Sequence, residues 1–398
     1  MRFIRFFLLR VISVTLLLGM GLPSTALAAP HAPYACEADG TQNSGAIYRI
    51  CMPLFGWNGD LILFAHGYVS PTLPLGIPED QLNVNGTSVP DAVNFLGYAF
   101  AITSYSANGL AVKEGVADVI DLVAIFKSKH PTVKRTYLMG FSEGGLVTAL
   151  AVEQSNVFAG GLAACGPIGS FALQANHIGD FRVVFDYYFP GLLPGTPISI
   201  PTSLVSNFDT VFTNTILPQL TSPANAISLT QLVSVTTIPA PITATDIITQ
   251  AVRDLLWYNV YGTMDGIAKL KGQPFDNATR VYSGSLDDGA LNAGVVRFTA
   301  EAAALAEMAV SYTPIGTPRV PLVTLHTTGD DIVPYRHEDL FRQHIVQHGM
   351  TPRHDNIPVN GYGHCAFSVT DVQNALNLLQ QRVLNPPQFT INLPILVK

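Results

Sequence analysis

The sequence predicts an α/β protein in which one mostly parallel sheet is flanked by helices. Short apolar runs alternate with amphipathic stretches, which is the pattern of strands joined by crossover helices. The alternation occurs in two blocks, separated by a long segment in which Pro, Thr and Ser are frequent. A chain of 398 residues is long enough for one large core with an insertion, or for two domains. We expect a single sheet built from two separate parts of the chain.

The N-terminal segment predicts a secretory signal peptide over residues 1–28. The basic stretch "MRFIRFFLLR" precedes the apolar run "VISVTLLLGM", and the small residues of Ala26-Leu27-Ala28 provide a cleavage site after Ala28. A retained membrane anchor is the alternative. The apolar run is short for a spanning helix, which needs ~20 residues. We expect the mature chain to be secreted, either extracellular or periplasmic.

The first part of the core is predicted over residues 29–167. Short runs such as "AIYRICMP" within residues 33–53 indicate an antiparallel start to the sheet. The segments that follow have strand or helix patterns in turn: strands in "DLILFAHG" and "GYAFAITSYS", a helix in "VADVIDLVAIFKSKHP", a strand in "RTYLMGFS", a helix in "GGLVTALAVEQ" and a strand in "AGGLAACG".

Residues 168–318 are predicted to form an insertion, a large and mainly helical cap. "IITQAVRDLLWYNVYG" and "FTAEAAALAEMAV" have helical spacing, whereas "PGTPISIPTS" and "VTTIPAPITATD" indicate irregular, Pro-stiffened connections. The aromatic residues of "DFRVVFDYYFPG" would line a pocket or pack in a core, and we favour the core. The same two alternatives apply to Trp257, Tyr258 and Tyr261.

The second part of the core is predicted over residues 319–398. Its segments alternate again: a strand in "VPLVTLHTTGDD", a helix in "YRHEDLFRQHIVQHG", a strand in "NIPVNGYGHC" and a helix in "VTDVQNALNLLQQRV".

Composition limits the classes of function. Charged residues make up 12% of the chain, against a typical ~25%, and the net charge is −7, so nucleic acid is not an expected partner. Four cysteines in an exported chain predict two disulfides among three possible pairings, and we favour Cys36 with Cys51 at the antiparallel start. No cysteine or histidine pattern has the spacing of a metal site, and no cofactor is expected.

Ser142 is the candidate nucleophile. It stands in Gly140-Phe141-Ser142-Glu143-Gly144, a Gly-x-Ser-x-Gly match of which about 0.1 would arise by chance in a chain of this length. The match lies where a predicted strand meets a predicted helix, which is the setting of a nucleophile elbow, and glycines permit the close approach of strand and helix there. The alternative is an incidental serine in a Gly-rich turn.

A serine hydroxyl needs a positioned base, and His364 is the candidate. It lies in "NGYGHCAF", a Gly-containing turn directly after the last predicted strand. The other late histidines fit less well, because they fall in a helix-like segment (His337, His344, His348), at the start of a strand (His354), or before the acid on its own strand (His326).

The acid that orients the base is predicted in "LHTTGDDIVP", at the end of an apolar strand. The residues alone leave Asp330 and Asp331 open, since neighbouring side chains point in different directions. Asp287 and Asp288 lie in the insertion and are typical of a turn.

Two backbone N–H groups must point at the oxyanion that forms as serine attacks. We expect one from Glu143, directly after the nucleophile, and one from Tyr68, in the loop after the strand "LILFAHG". His66 in that loop is expected to have a structural role. The Glu143 side chain is expected to be solvated at the helix start, where the helix dipole favours it, with substrate contact as the alternative.

The segments "AHGY", "GFSEGG", "TTGDDIVP" and "GYGHC" occur in an order that resembles the α/β-hydrolase superfamily. The resemblance covers most of the mature chain outside the insertion and implies the α/β-hydrolase fold. In that superfamily the acid commonly precedes the proline of a D-x-x-V-P segment by four positions, which implies Asp330 rather than Asp331.

The pair His364-Cys365 is also similar to tannases and feruloyl esterases, in which a cysteine before the nucleophile is bonded to the cysteine after the histidine. Here Phe141 stands before Ser142. In such a fold Cys165, at the end of the next strand, is near enough to hold the histidine loop, so the resemblance implies a Cys165–Cys365 disulfide.

The resemblance implies a secreted serine hydrolase that cleaves small or polymeric carboxylic esters through a Ser142–His364–Asp330 triad and an acyl-enzyme. A serine peptidase of the same fold is the first alternative, and a non-catalytic binding protein on this scaffold is the second. The acyl group, the leaving alcohol and the oligomeric state are left open.

Overall fold

The computed structural model describes residues 34–84, 86–241 and 243–386. The predicted signal peptide, residues 1–28, lies outside the described residues. Among the helices that are described, none combines the length and the apolar character needed to cross a membrane.

The strands fall in the two blocks predicted from the sequence. They are β1 Tyr34–Cys36, β2 Gly40–Thr41, β3 Ile47–Pro53, β4 Asp60–Ala65, β5 Asn83–Val84, β6 Thr87–Ser88, β7 Ala99–Thr103, β8 Arg135–Phe141, β9 Gly160–Ala164, β10 Leu322–Gly329 and β11 His354–Tyr362.

Nine of these strands form one sheet, in the order β1-β3-β7-β4-β8-β9-β10-β11 with β2 paired to β3. The pairs from β7 to β11 are parallel, whereas β1, β2 and β3 join by antiparallel pairs. The predicted fold class and the antiparallel start are therefore confirmed. β9 and β10 are neighbours although the predicted cap separates them in the chain.

The helices lie on both faces of the sheet and between β9 and β10. They are α1 Val89–Phe95, α2 Val112–Lys129, α3 Glu143–Gln154, α4 Phe171–Tyr188, α5 Thr202–Val205, α6 Phe208–Val211, α7 Leu217–Leu220, α8 Ala226–Thr236, α9 Thr245–Lys269, α10 Asp288–Gly294, α11 Ala302–Ser311, α12 Arg336–Gln347 and α13 Val369–Leu384. A π-helical turn, Phe212–Ile216, joins α6 to α7.

The alternation of side chains along β4 explains the layers. Leu61 and Leu63 point to a core shared with α2, α3 and α12, whereas Ile62 and Phe64 point to a core shared with α1 and α13. All six residues of β4 are buried, as expected for a central strand that is covered on both faces.

The segment between β9 and β10 has an apolar core of its own. Phe181, Phe185 and Phe189 are buried in it, which agrees with the preferred interpretation of this aromatic stretch as core. The helices predicted within it correspond to α9 and α11, but α4 was not predicted. The boundaries 168 and 318 of the cap stay a prediction.

Both predicted disulfides are present. Cys36 and Cys51 are directly opposite in the β1–β3 pair, and their Cα atoms are 3.8 Å apart. Cys165, at the end of β9, is bonded to Cys365 in the loop after β11, with a Cα separation of 5.4 Å. This second bridge ties the loop that contains His364 to the sheet.

Candidate active site

The predicted site residues lie at the carboxyl edge of the parallel strands. Tyr68 follows β4, Ser142 follows β8, Asp330 follows β10 and His364 follows β11. Parallel strands end at the same edge, so the chain's distant segments meet there. The structure brings together all of these residues.

Ser142 stands in a sharp turn between β8 and α3. Its backbone is in the left-handed region, with φ 57° and ψ −121°, a conformation that costs energy for a residue with a side chain. A Cβ atom at Gly140 would collide with the carbonyl oxygen of Gly144, and one at Gly144 would collide with that of Ala65. The turn therefore has the geometry of a nucleophile elbow.

A chain of hydrogen bonds joins the three predicted catalytic side chains. The Ser142 hydroxyl donates to His364 Nε2 over 2.8 Å, and His364 Nδ1–H donates to Asp330 Oδ2 over 2.8 Å. The carboxylate at Nδ1 sets the tautomer in which Nε2 is free to accept the serine proton. This arrangement activates a hydroxyl for attack on a carbonyl carbon.

The structure places Asp330, and not Asp331, against the histidine. Asp330 Oδ1 also accepts hydrogen bonds from the N–H groups of Ile332 (3.0 Å) and Val333 (2.8 Å). Burial alone would raise the pKa of Asp330, but its interactions with His364 and His326 outweigh burial and hold the pKa well below the usual range.

Asp331 has a different environment. Its backbone carbonyl accepts a hydrogen bond from His177 Nε2 over 2.7 Å, and in the described part of the chain no hydrogen bond joins its side chain to His364. Burial and the charge of Asp330 raise the pKa of Asp331 to about 6. Asp287 and Asp288 are placed elsewhere, at the start of α10, where they accept bonds from nearby backbone N–H groups.

Tyr68, the second predicted oxyanion donor, lies in the loop after β4. A Cβ atom at Gly67 would lie 3.3 Å from the Ser142 Cβ, so this loop passes directly beside the nucleophile. Within the described ranges, neither the Tyr68 N–H nor the Glu143 N–H has a hydrogen-bond partner. Two unpaired N–H groups beside a nucleophile are the donors that an oxyanion requires.

Gln81 holds this loop in place, which the sequence did not indicate. Its Oε1 accepts from the Gly67 N–H over 2.7 Å and its Nε2 donates to the Tyr68 carbonyl over 3.1 Å. His66 is buried, stacks on Tyr105 at 3.9 Å and has Nδ1 2.7 Å from the Gly67 carbonyl oxygen. Its expected structural role agrees with these contacts.

The expectation for the Glu143 side chain was wrong. The residue is only 7% exposed, and its Oε1 accepts a hydrogen bond from the Ala111 N–H over 2.8 Å. Burial raises the pKa of the Glu143 carboxyl to about 8, although the bond from Ala111 acts in the opposite direction. The first turn of α3 faces the loop before α2 and the cavity below α9, which leaves the Glu143 side chain almost entirely covered by protein.

A cavity of about 150 Å³ opens at Ser142. Its walls come mainly from α4, α9 and the segment after α9, and most of its lining is apolar. The apolar lining residues include Leu110, Leu146, Phe171, Ile178, Ile198, Ile267, Leu270, Phe275, Ile332 and Val333. Such a cavity accommodates an apolar group next to the reacting atom.

The polar residues in the walls are bonded to the protein itself. Asn259 Nδ2 donates to the Pro197 carbonyl, Gln273 Nε2 donates to that of Phe275, and the Tyr68 hydroxyl donates to that of Tyr261. Gln174 is the exception among these side chains: its Nε2 donates to the Ile332 carbonyl, but its buried Oε1 has no hydrogen-bond partner within the described residues. The cavity therefore presents mainly apolar surface, with one free acceptor, to a ligand.

Tyr258 of α9 is a site residue that sequence reasoning left between pocket and core. It lines the cavity beside Ser142. Burial is the main cause that raises the pKa of its phenol, and a side-chain interaction with Ser142 acts in the opposite direction. No spacing in the sequence distinguishes it from its neighbour Trp257, which packs against the core of the inserted segment.

One group of candidate metal-binding side chains occurs among the described residues, formed by Cys165, His364 and Cys365. Cysteine binds metals as the thiolate. Both cysteines are in a disulfide, so the group holds the histidine loop and does not form a thiolate metal site.

The strand order and the geometry of the site together identify an α/β-hydrolase fold. Three features are typical of this fold: the order of the parallel strands, the elbow at Ser142, and the order Ser142, Asp330, His364 along the chain. No protein-family model matches the sequence, and no curated protein matches it.

Comparison with solved structures finds hydrolases at low identity. An acylaminoacyl peptidase of Pyrococcus horikoshii is 11% identical, with a TM-score of 0.43 over 88% of this chain and 40% of the peptidase. An esterase of Pyrococcus furiosus is 11% identical, with a TM-score of 0.46 over 88% of this chain and 90% of the esterase.

An esterase of Aspergillus oryzae is 12% identical, with a TM-score of 0.44 over 87% of this chain and 78% of that protein. This chain thus spans less than half of the length of the peptidase that it matches. At these identities the roles of the site residues depend on the geometry of this chain itself.

Proposed function

We propose that the protein is a serine hydrolase that cleaves carboxylic esters through an acyl-enzyme. The observation that carries this proposal is the hydrogen-bonded chain Ser142–His364–Asp330, which opens on an apolar cavity. A nucleophile, a base and an orienting acid in this arrangement perform acyl transfer.

In the first half of the reaction the Ser142 hydroxyl attacks the ester carbonyl carbon. His364 Nε2 takes the hydroxyl proton, and the N–H groups of Tyr68 and Glu143 stabilise the oxyanion. When the carbon–oxygen bond to the alcohol breaks, the imidazolium gives its proton to the departing oxygen. The acyl group then remains bonded to Ser142.

In the second half water attacks the acyl-enzyme carbonyl carbon. His364 takes a proton from the water and returns it to the Ser142 oxygen as the carboxylic acid leaves. Asp330 keeps the Nδ1–H of His364 bonded and faces the positive charge that develops on the ring.

The substrate class is proposed from the cavity. Most of its lining is apolar, and Asn259 and Gln273 in its walls are bonded within the protein, so a mainly aliphatic acyl chain fits it. Along α9, no heavy atom lies within 4 Å of the place where a Cβ atom of Gly266 would stand, although Gly266 is buried. The glycine faces open space, which we assign to the acyl chain.

We also propose that the enzyme acts after export from the cytoplasm. The predicted signal peptide and the two disulfides support this proposal, because disulfides persist in oxidising compartments.

The test compares the mature protein with Ser142→Ala on aryl esters of increasing acyl length, a feruloyl ester and several aminoacyl anilides. We expect ester turnover to fall by at least about 10³-fold in Ser142→Ala, because the nucleophile is lost. Ser206→Ala, which removes an exposed hydroxyl on the inserted segment, is the matched control.

Other outcomes would assign the other functions. Serine-dependent turnover of anilides without a preference for esters would identify a peptidase. Absence of any Ser142-dependent turnover would contradict the hydrolase and favour a binding protein on this scaffold.

A further inference from the structure

A second histidine, His326, lies behind the acid and has no part in the mechanism above. It is on β10, four residues before Asp330, and its side chain is fully buried. Its Nε2 lies 2.8 Å from the Val333 carbonyl oxygen and 3.5 Å from Asp330 Oδ2. A carbonyl oxygen only accepts hydrogen bonds, so Nε2 carries a hydrogen.

The other ring nitrogen of His326 faces a second carboxylate. Nδ1 lies 3.2 Å from Oε1 of Glu338, whose side chain is only 3% exposed. Oε2 of Glu338 accepts hydrogen bonds from Asn356 Nδ2 (2.8 Å) and from the Thr324 hydroxyl (2.7 Å). These two donors at Oε2 favour the ionised carboxylate; Oε1 is then an acceptor, and Nδ1 carries a hydrogen as well.

The ring is therefore an imidazolium between two buried carboxylates. Burial alone would lower the pKa of His326, but its bonds to Asp330 and Glu338 outweigh burial and raise the pKa to about 10. The three charges sum to −1, the same as for one isolated carboxylate.

We propose that His326 is a positioning residue which, as a buried cation balanced by Glu338, holds the Asp330 carboxylate ionised and aligned against His364. The inference rests on the proposed function, because it assigns to Asp330 the role of orienting the base. Asp330 then has a fixed donor on each side, His364 in front and His326 behind.

His326, Asp330 and Glu338 form a charged triplet, and its net charge affects the protonation of the candidate base, His364. If the cation is removed, Glu338 and Asp330 add two negative charges behind His364, which favours a proton on that ring. A protonated His364 cannot take the serine proton, so activity then requires a higher pH. If Glu338 is neutralised instead, the cation is no longer balanced, and the requirement moves to lower pH.

The other titratable groups around the triplet do not obscure this effect, with one exception. Burial lowers the pKa of His177, from α4, and of His354, on β11, and lowers that of His337, on α12, to about 3. Burial raises the pKa of Tyr258, from α9, and of Tyr335, whose ring packs against His326. Asp331, with its pKa raised to about 6, titrates in the window of interest, so Asp331→Asn is a necessary reference.

The experiment measures kcat/KM on an aryl ester from pH 4.5 to pH 9 for wild type, His326→Gln, Glu338→Gln and the double variant, each also in the Asp331→Asn background. We expect His326→Gln to lower kcat/KM at neutral pH at least about tenfold and to raise the midpoint of the acid limb by about half a pH unit. Glu338→Gln should lower that midpoint, and the double variant should return it to the wild-type position.

An unmoved midpoint in both single variants, with activity lost equally at every pH, would show a packing role and overturn the proposal. If a variant does not fold, as judged by circular dichroism, histidine-selective ¹⁵N spectra of the whole protein test the same point. Both nitrogens of His326 should stay protonated to about pH 9, and a neutral ring at neutral pH would overturn the proposal. Because these spectra do not need turnover, they separate this failure from a failure of Ser142→Ala to abolish ester cleavage.

Discussion

The carboxyl group of Glu143 is buried directly after the nucleophile, and this placement links stability to pH. Its pKa in the folded protein is raised to about 8 from an ordinary value of 4.5. Between these values the folded state holds a proton that the unfolded state releases, so the free energy of unfolding falls as pH rises from 4.5 to 8.

We expect Glu143→Gln to remove this fall in the free energy of unfolding with rising pH. Relative to wild type, the variant should gain about 4 kcal/mol of unfolding free energy between pH 5 and pH 9, because an amide has no proton to release. Urea unfolding at both pH values measures the difference. Glu79→Gln, at an exposed position, is the control, and equal behaviour of the two variants would contradict the prediction.

A second prediction at the residue scale distinguishes Asp330 from Asp331 by their effects on kcat. Asp330→Asn should lower kcat by roughly 10⁴-fold, since an amide favours the wrong tautomer of the base. Asp331→Asn, which makes no bond to His364, should cost far less. Steady-state kinetics on one aryl ester compares them, and similar losses in both would refute the assignment.

The sequence was sufficient to predict the site residues that stand in tight turns directly after strands. Glycines around Ser142 and in the turn of His364 mark tight turns after strands, and turns can be read from spacing. The burial of Glu143 could not be predicted, because α9 and the loop before α2 cover it and both are distant in the chain. The contacts of Gln81 depend in the same way on a fold that brings it beside Gly67.

At the scale of elements, α9 controls the space beside the nucleophile. A leucine at Gly266 would extend into the cavity, so Gly266→Leu should reduce the ratio of kcat/KM for a decanoyl ester to that for an acetyl ester at least about tenfold. A series of p-nitrophenyl esters measures this ratio.

The matched control for this prediction is Ala268→Leu. It adds a comparable side chain to the same helix at an exposed position, outside the cavity. If the ratio changed equally in both variants, or in neither, the acyl chain would not lie along this face of α9.

The helix α4 is an element that the sequence pattern did not predict. It was missed because α4 packs against α8, α9 and α11, and an element surrounded in this way lacks the single apolar stripe on which helix prediction depends. In contrast, α12 and α13 have one face on the sheet and one in solvent, and their spacing predicted both.

For the whole molecule, the Cys165–Cys365 bridge fixes the histidine loop to the sheet. It closes a sequence separation of 200 residues, against 15 for Cys36–Cys51, which corresponds to about 5 and about 3 kcal/mol in the chain-entropy model. Replacing both Cys165 and Cys365 by Ala should therefore destabilise the protein more than replacing both Cys36 and Cys51 by Ala. It should also lower kcat.

Urea unfolding and ester kinetics on the two double-alanine variants check this expectation. The variant without Cys36 and Cys51 should lose stability with little change in kcat at a temperature where it remains folded. Equal loss of kcat in both would argue against a specific role of the second bridge in holding His364.

The central strands of the sheet could be predicted because buried parallel strands are continuous apolar runs, which stand out from their surroundings. The cavity could not be predicted, since its walls combine α4, α9 and the residues after β10. Only the packing of these elements fixes which of their side chains point inward.

The pairing of β9 with β10 has a consequence for how such a protein diversifies. Everything between Ala164 and Leu322 leaves the sheet at one point and returns at the adjacent strand. The entropy cost of closing an inserted segment rises only with the logarithm of its length. Segments of very different size can therefore be exchanged at this junction while Ser142, Asp330 and His364 keep their anchorage in the sheet, which makes the walls of the cavity beside Ser142 a modular and evolvable part of the chain.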